Sequence, residues 1–112
     1  MNNSRSELGF CHPIANIVYA TKRNIESRMT RATIIYRVID NTIEYQAVFT
    51  APGDNFCRKE GRERAADKFT KAGPLVVETL SSDRPTEVIF GDICAKHLPS
   101  RWISAQFTIK HK

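Results

Sequence analysis

A chain of 112 residues, 41% hydrophobic and 26% charged, has material for one domain with a real core and too little for two ordinary ones. That balance argues against wholesale disorder, and no apolar run approaches the roughly 18 residues of a membrane-spanning helix. A formal net charge of +5 favours acidic partners: nucleic acid, an acidic protein face or an anionic surface.

The first segment, MNNSRSELGFCHPIANIVYATKR, has no long apolar stretch followed by a small-residue cleavage site, so no secretory signal is expected. Ile14, Ile17, Val18 and Ile25 fit a helical stripe after His12-Pro13, although ANIVYA also suits a strand. Residues 1–28 are read as an appendage, helical or partly disordered, to a single α+β domain over 29–112.

A β-hairpin over residues 31–51 is the clearest structural signal. RATIIYRVID and TIEYQAVFTA are rich in β-branched and aromatic residues, and Asp40-Asn41 between them tolerate the positive φ of a two-residue turn. With that turn, Val38 faces Ile43, Tyr36 faces Tyr45, Ile34 faces Ala47 and Ala32 faces Phe49, an apolar face. The opposite face pairs Arg37 with Glu44, Ile35 with Gln46, Thr33 with Val48 and Arg31 with Thr50. A one-residue slip scrambles this sorting.

Pro52-Gly53 ends the hairpin, and Asp54 is the expected N-cap of one long helix over 54–72, stopped by Gly73-Pro74. Cys57, Gly61, Ala65, Lys68, Phe69 and Ala72 share a stripe whose small residues allow close packing on the hairpin's apolar face. Further strands are expected near 75–80 (PLVVETL), 86–90 (TEVIF) and 101–110, with GDICAKHL as a short helical turn capped by Asp92. In the last strand Ile103, Ala105, Phe107 and Ile109 alternate against Trp102, Ser104, Gln106 and Thr108. The fold class is therefore α+β, a mainly antiparallel sheet with the 54–72 helix on one face.

Chemistry is sparse. Glu60 and Arg64, Lys59 and Glu63, and Asp67 and Lys71 are pairs at i,i+4 spacing that decorate an exposed helix face. Arg58 and Arg62, one turn apart with no acid placed to neutralise both, are suited with Lys59 to bind phosphate or carboxylate. The plain alternative is a solvated flank. Trp102 is expected exposed among Arg101, Lys96 and His97, as a stacking surface or as cover for a sheet end. Lys110-His111-Lys112 adds positive charge.

Cys11, His12, Cys94 and His97 make a formal zinc set, but adjacent Cys11-His12 seldom point at one ion, so no metal is expected. Three cysteines without a close pair suggest free thiols in a reducing cytoplasm. Cys57, near a helix start, is read as a packing residue rather than a nucleophile. Phosphate loop, nucleophile elbow and Ser/His/Asp ordering are absent from the sequence, so no enzyme and no cofactor is expected.

The passage YQAVFTAPGDNFCRKEGRERAADKF resembles small bacteriophage-encoded accessory proteins of unassigned function, in which a strand leads through a Pro-x-Asp-x-Phe turn into an Arg-Lys-x-Gly-Arg helix. It covers about 25 residues. The resemblance implies binding rather than turnover, in an infected bacterium's cytoplasm. The expected partners are nucleic acid or its machinery, through Arg58, Lys59 and Arg62. The alternative is a host protein that the chain inhibits or adapts, with self-association through an edge strand also open.

Overall fold

The structure is a computed structural model, and it describes residues 8–40, 42–51, 54–78 and 86–108. The chain runs β1 (Gly9–Cys11), β2 (Ile14–Ala20), β3 (Ile25–Ile39), β4 (Thr42–Phe49), α1 (Arg58–Ala72), β5 (Leu75–Glu78), α2 (Thr86–Lys96), β6 (Trp102–Thr108). The sheet order is β5-β4-β3-β2-β6, with β1 also paired to β3, and every pairing among the described residues is antiparallel. This is an α+β fold, with two helices among the described residues in place of one long one.

The hairpin takes the register its side-chain sorting requires, from Ala32↔Phe49 through Tyr36↔Tyr45 to Ile39↔Thr42. Asp40 adopts the left-handed φ of 52°; Asn41 lies outside the described residues. The Arg37–Glu44 ion pair forms at 2.7 Å.

The two helices sit on opposite faces, which corrects the expected packing. α2 covers the apolar face, where Phe90, Ile93 and Cys94 pack with Ala32, Ile34, Ile43, Tyr45 and Ala47. α1 lies on the mixed face, where Ala65 and Phe69 meet Ile35 and Val48. Ile34 and Ile35 are therefore both buried, at 0% and 1% exposure, on opposite sides of one strand. Burial on that scale is worth about 1.5–3 kcal/mol per side chain.

The mixed face accepts a helix because its polar groups are satisfied. Gln46 donates from Nε2 to the Gly73 carbonyl at 2.6 Å, and the Thr33 hydroxyl meets His12 Nδ1 at 3.0 Å. Arg37 pairs with Glu44 and stacks its guanidinium over Phe69, 5.5 Å from the ring centroid.

α1 buries Gly61, Ala65 and Phe69, spaced four residues apart as one helical face demands, while Cys57 and Ala72 are exposed. Its N-cap is Cys57, extended and without a side-chain capping bond, rather than Asp54. Asp54 instead donates its backbone N–H to the Ala51 carbonyl at 3.0 Å. The helix stops at Gly73, whose φ of 81° and ψ of 160° fall in a region open essentially to glycine alone.

The expected strand at 86–90 is the first half of α2, and Asp92 lies within that helix rather than capping it. Ile89, Phe90, Ile93 and Cys94 recur at helical spacing, and the core cluster they join rewards that period over the β-branched character of TEVIF. The expected strand at 75–80 forms as Leu75–Glu78; Thr79 and Leu80 lie outside the described residues.

Residues 9–28 form β1, β2 and the start of β3, so ANIVYA takes the strand alternative, within β2, rather than the helical one. β1 and β2 both run along β3, interrupted at His12-Pro13, where the Pro13 carbonyl accepts from Ala32 N–H at 3.0 Å. β2 lies between β3 and β6, with Ala15 and Ile17 at 0% and 1% exposure. The boundary anticipated at residue 29 falls inside β3.

In β6 the alternation breaks. Val18 pairs with Ser104 but Tyr19 pairs with Trp102, leaving Ile103 as the extra residue of a β-bulge. The bulge reverses the face of everything before it. Trp102 consequently joins Ala15, Ile17, Ala105 and Phe107 in the core at 8% exposure, while Ile103 is 56% exposed. This corrects the expectation of an exposed Trp102. Ile109 lies outside the described residues.

Candidate functional site

Two groups of cations stand out, one on each side of the sheet. The first is at the start of α1. Arg58 and Arg62 are exposed one turn apart, and among the described residues neither makes an ion pair. Arg31, from the facing strand β3, donates from Nη1 to the His12 carbonyl at 3.2 Å and lies over the Phe56 ring, 5.4 Å from its centroid. Phe56 in turn meets the His12 ring edge-on at 5.3 Å.

His12 reports the field of this cluster. Burial, then the guanidiniums of Arg58, Arg62 and Arg31, push its pKa down to about 4, so the imidazole is neutral at pH 7. Among the described residues, the positive charge here therefore comes from arginine. Asp54 and Asn55 stand at its edge, lining a shallow depression with Arg31 and Phe56. Lys59 is exposed on the next flank of α1. Of the i,i+4 pairs, Asp67–Lys71 closes, at 3.2 Å.

The second group surrounds a cavity of about 540 Å³ at the end of the sheet where β2 turns into β3. Tyr19, Phe49 and Trp102 supply its aromatic wall, with Phe49 and Trp102 edge-to-face at 5.3 Å. Lys22, Arg28 and Arg101 supply its charge, and no acidic residue among the described residues lines it. Glu26 lies outside that lining and accepts a hydrogen bond from the Tyr19 hydroxyl at 3.2 Å. Thr21 holds the turn in place: its hydroxyl donates to the Asn24 carbonyl at 2.9 Å and accepts from Asn24 N–H at 2.9 Å.

The structure thus brings Arg58 and Arg62 together with His12, and Arg101 together with Trp102, but places the two groups apart. Lys96, exposed at the end of α2, lines neither depression. Sequence reading missed Arg31, Phe56, Tyr19, Phe49, Lys22 and Arg28. Only Arg31 left a signal, as a cation on the hairpin's mixed face two residues from Thr33.

The formal zinc set is not assembled. His12 bonds Thr33 on the α1 side, whereas His97 Nε2 meets the Tyr45 hydroxyl at 2.9 Å on the α2 side. No group of potential ligands gathers among the described residues. Burial pushes the Cys11 thiol up to about 12 and raises Cys94 as well, so both stay protonated at neutral pH. Burial, then Lys68 and Lys96, lowers the pKa of His97.

No helix among the described residues is long and apolar enough to cross a membrane. Comparison with protein-family models, with curated proteins and with solved structures gives no significant match.

Proposed function

We propose that the protein is a non-catalytic module that binds the nucleic-acid backbone through the start of α1. The observation that carries this reading is the convergence of Arg58 and Arg62 with Arg31 around an uncharged histidine. Unliganded, these guanidiniums repel one another; phosphate oxygens neutralise them and accept bidentate hydrogen bonds. Lys59 extends the patch along the helix. The likeness of the strand-to-helix passage to phage accessory proteins fits a protein that acts by binding in a bacterial cytoplasm.

The test is a titration with labelled single-stranded and duplex oligonucleotides across a salt series. Each phosphate contact contributes about 0.9 to the slope of log affinity against log salt on duplex, and about 0.7 on single strands. Arg58→Ala with Arg62→Ala is expected to weaken binding and to reduce that slope by about 1–2. Binding that ignores salt and survives the double substitution refutes the reading.

A second reading, an inhibitor or adaptor contacting a host protein, is favoured by one observation. On the α1 side of β3, Ile25 and Met29 are 68% and 65% exposed beyond the end of the helix. Ile103 lies open in the nearby bulge, and among the described residues β6 is the outermost strand on this side of the sheet. A partner adding a strand there would cover apolar surface and an open edge together. Capture of one stoichiometric protein from nuclease-treated bacterial lysate, lost on Met29→Lys, supports it; capture that depends on nucleic acid opposes it.

A further inference from the structure

We infer that the aromatic cavity between the β2–β3 turn and the start of β6 takes one nucleotide. Its heterocycle would lie against Tyr19, Phe49 and Trp102, with its phosphate on Arg101 and Lys22. The inference rests on the nucleic-acid reading for its ligand class, but it concerns a separate site on the other side of the sheet.

Three observations converge. The volume, about 540 Å³, falls within the roughly 300–1,000 Å³ typical of small-ligand sites. The wall is aromatic because the bulge at Ile103 turns Trp102 inward beside Phe49, and because Tyr19 pairs with Trp102 across the ladder. The charge of the described lining is of one sign: Lys22 and Arg101 are exposed, form no ion pair among the described residues, and share the lining with Arg28.

An aromatic wall bordered by cations complements a ligand that joins a planar ring to a negatively charged group. It suits an uncharged apolar ligand poorly, because the cations would lose hydration without a partner. A nucleotide offers both parts, and base–aromatic stacking tolerates any base because each has a π-face. The source is either a free mononucleotide or one unit of an unpaired strand, since a base within a duplex presents no free face.

Trp102 is the chain's single tryptophan, so its fluorescence reports on this site alone. The intact protein is titrated with AMP, with a short oligothymidylate and with phenyl phosphate, following Trp102 emission. Saturable change with AMP and oligothymidylate supports a nucleotide pocket open to free ligand; change with oligothymidylate alone supports one that reads a strand. Arg101→Ala is expected to weaken either response roughly tenfold, as loss of a charge-assisted hydrogen bond does. Tyr19→Leu, which keeps apolar cover but removes the ring, should weaken it about as much. Thermal melts confirm that both variants fold.

No change in emission with any ligand overturns the inference, as does a response to phenyl phosphate alone or an affinity indifferent to Arg101→Ala. If labelled oligonucleotide still binds in a manner sensitive to Arg58→Ala with Arg62→Ala, the α1 reading survives that failure. If instead the Trp102 response persists in that double variant and all binding depends on Arg101, the α1 reading is the one that falls.

Discussion

Gly61→Ala tests how closely α1 lies on the sheet. A Cβ added at Gly61 comes 2.5 Å from the Thr33 hydroxyl oxygen, 3.4 Å from Thr33 Cβ and 3.6 Å from Phe56. Thr33 is 1% exposed, β-branched and bonded to His12, so it has little freedom to swing aside. Alanine gains about 1 kcal/mol over glycine in a helix interior. Against it stand about 1–3 kcal/mol for overpacking and about 0.5–1.5 kcal/mol for the displaced Thr33–His12 bond. The steric side wins, and a net loss of about 1–3 kcal/mol is expected. With a urea m-value of about 1.5 kcal/mol/M, a loss of ~2 kcal/mol lowers the midpoint by more than ~1 M. The decisive variant is Gly61→Ala in a Thr33→Ala background, where the hydroxyl is gone and the remaining contacts are ordinary. There the same substitution should be neutral or stabilising. An equal loss in both backgrounds, or Gly61→Ala at least as stable as the parent, would refute the close approach.

Other outcomes follow from particular residues. Gly73→Ala must place a side chain at φ 81°, ψ 160°, at an expected cost of about 1–3 kcal/mol in the same urea assay. His12 titrates near 4 in the fold against 6.5 in the unfolded chain, so the unfolded state binds more protons between those values. Stability should therefore fall as pH drops from about 6.5 to 4, and His12→Gln should flatten the fall relative to the parent. Trp102→Ala should cost about 3–5 kcal/mol, whereas deleting Ile103 removes the bulge, keeps Trp102 on the core face and should change stability by less than about 1 kcal/mol. Removing residues 1–28 strips Ala15 and Ile17 from the core and should abolish the cooperative transition; a folded remainder would show the domain begins later.

The hairpin register was legible because its faces differ along their whole length and Asp40 tolerates the turn. The small-residue stripe of α1 was legible too, since Gly61, Ala65 and Phe69 recur every four positions. Which face α1 would cover was not. Thr33 and Gln46 look like solvent-facing residues until His12 and Gly73, distant in sequence, satisfy them. TEVIF read alone has strand propensity; its helical period emerges only when the stretch is followed through Gly91 to Cys94. The bulge left no mark, so parity carried through Ile103 placed Trp102 on the wrong side. The cavity escaped for a further reason: its wall comes from β2, β4 and β6, and no local pattern records that meeting.

The position of β2 has a consequence for how the chain assembles. The β3–β4 hairpin, α1 and β5 are neighbours along the chain and meet by closing short loops. β2, though formed early in the sequence, has its outer partner in β6, so Ile14↔Thr108 joins points separated by nearly the whole described length. Until that closure β2 is an open edge beside unburied Ala15 and Ile17, the kind of surface on which a second chain templates. Such distant pairings are the slow part of β-sheet folding. Self-association during refolding should then depend on how soon β6 docks, and a peptide spanning Trp102–Thr108 would compete for that edge.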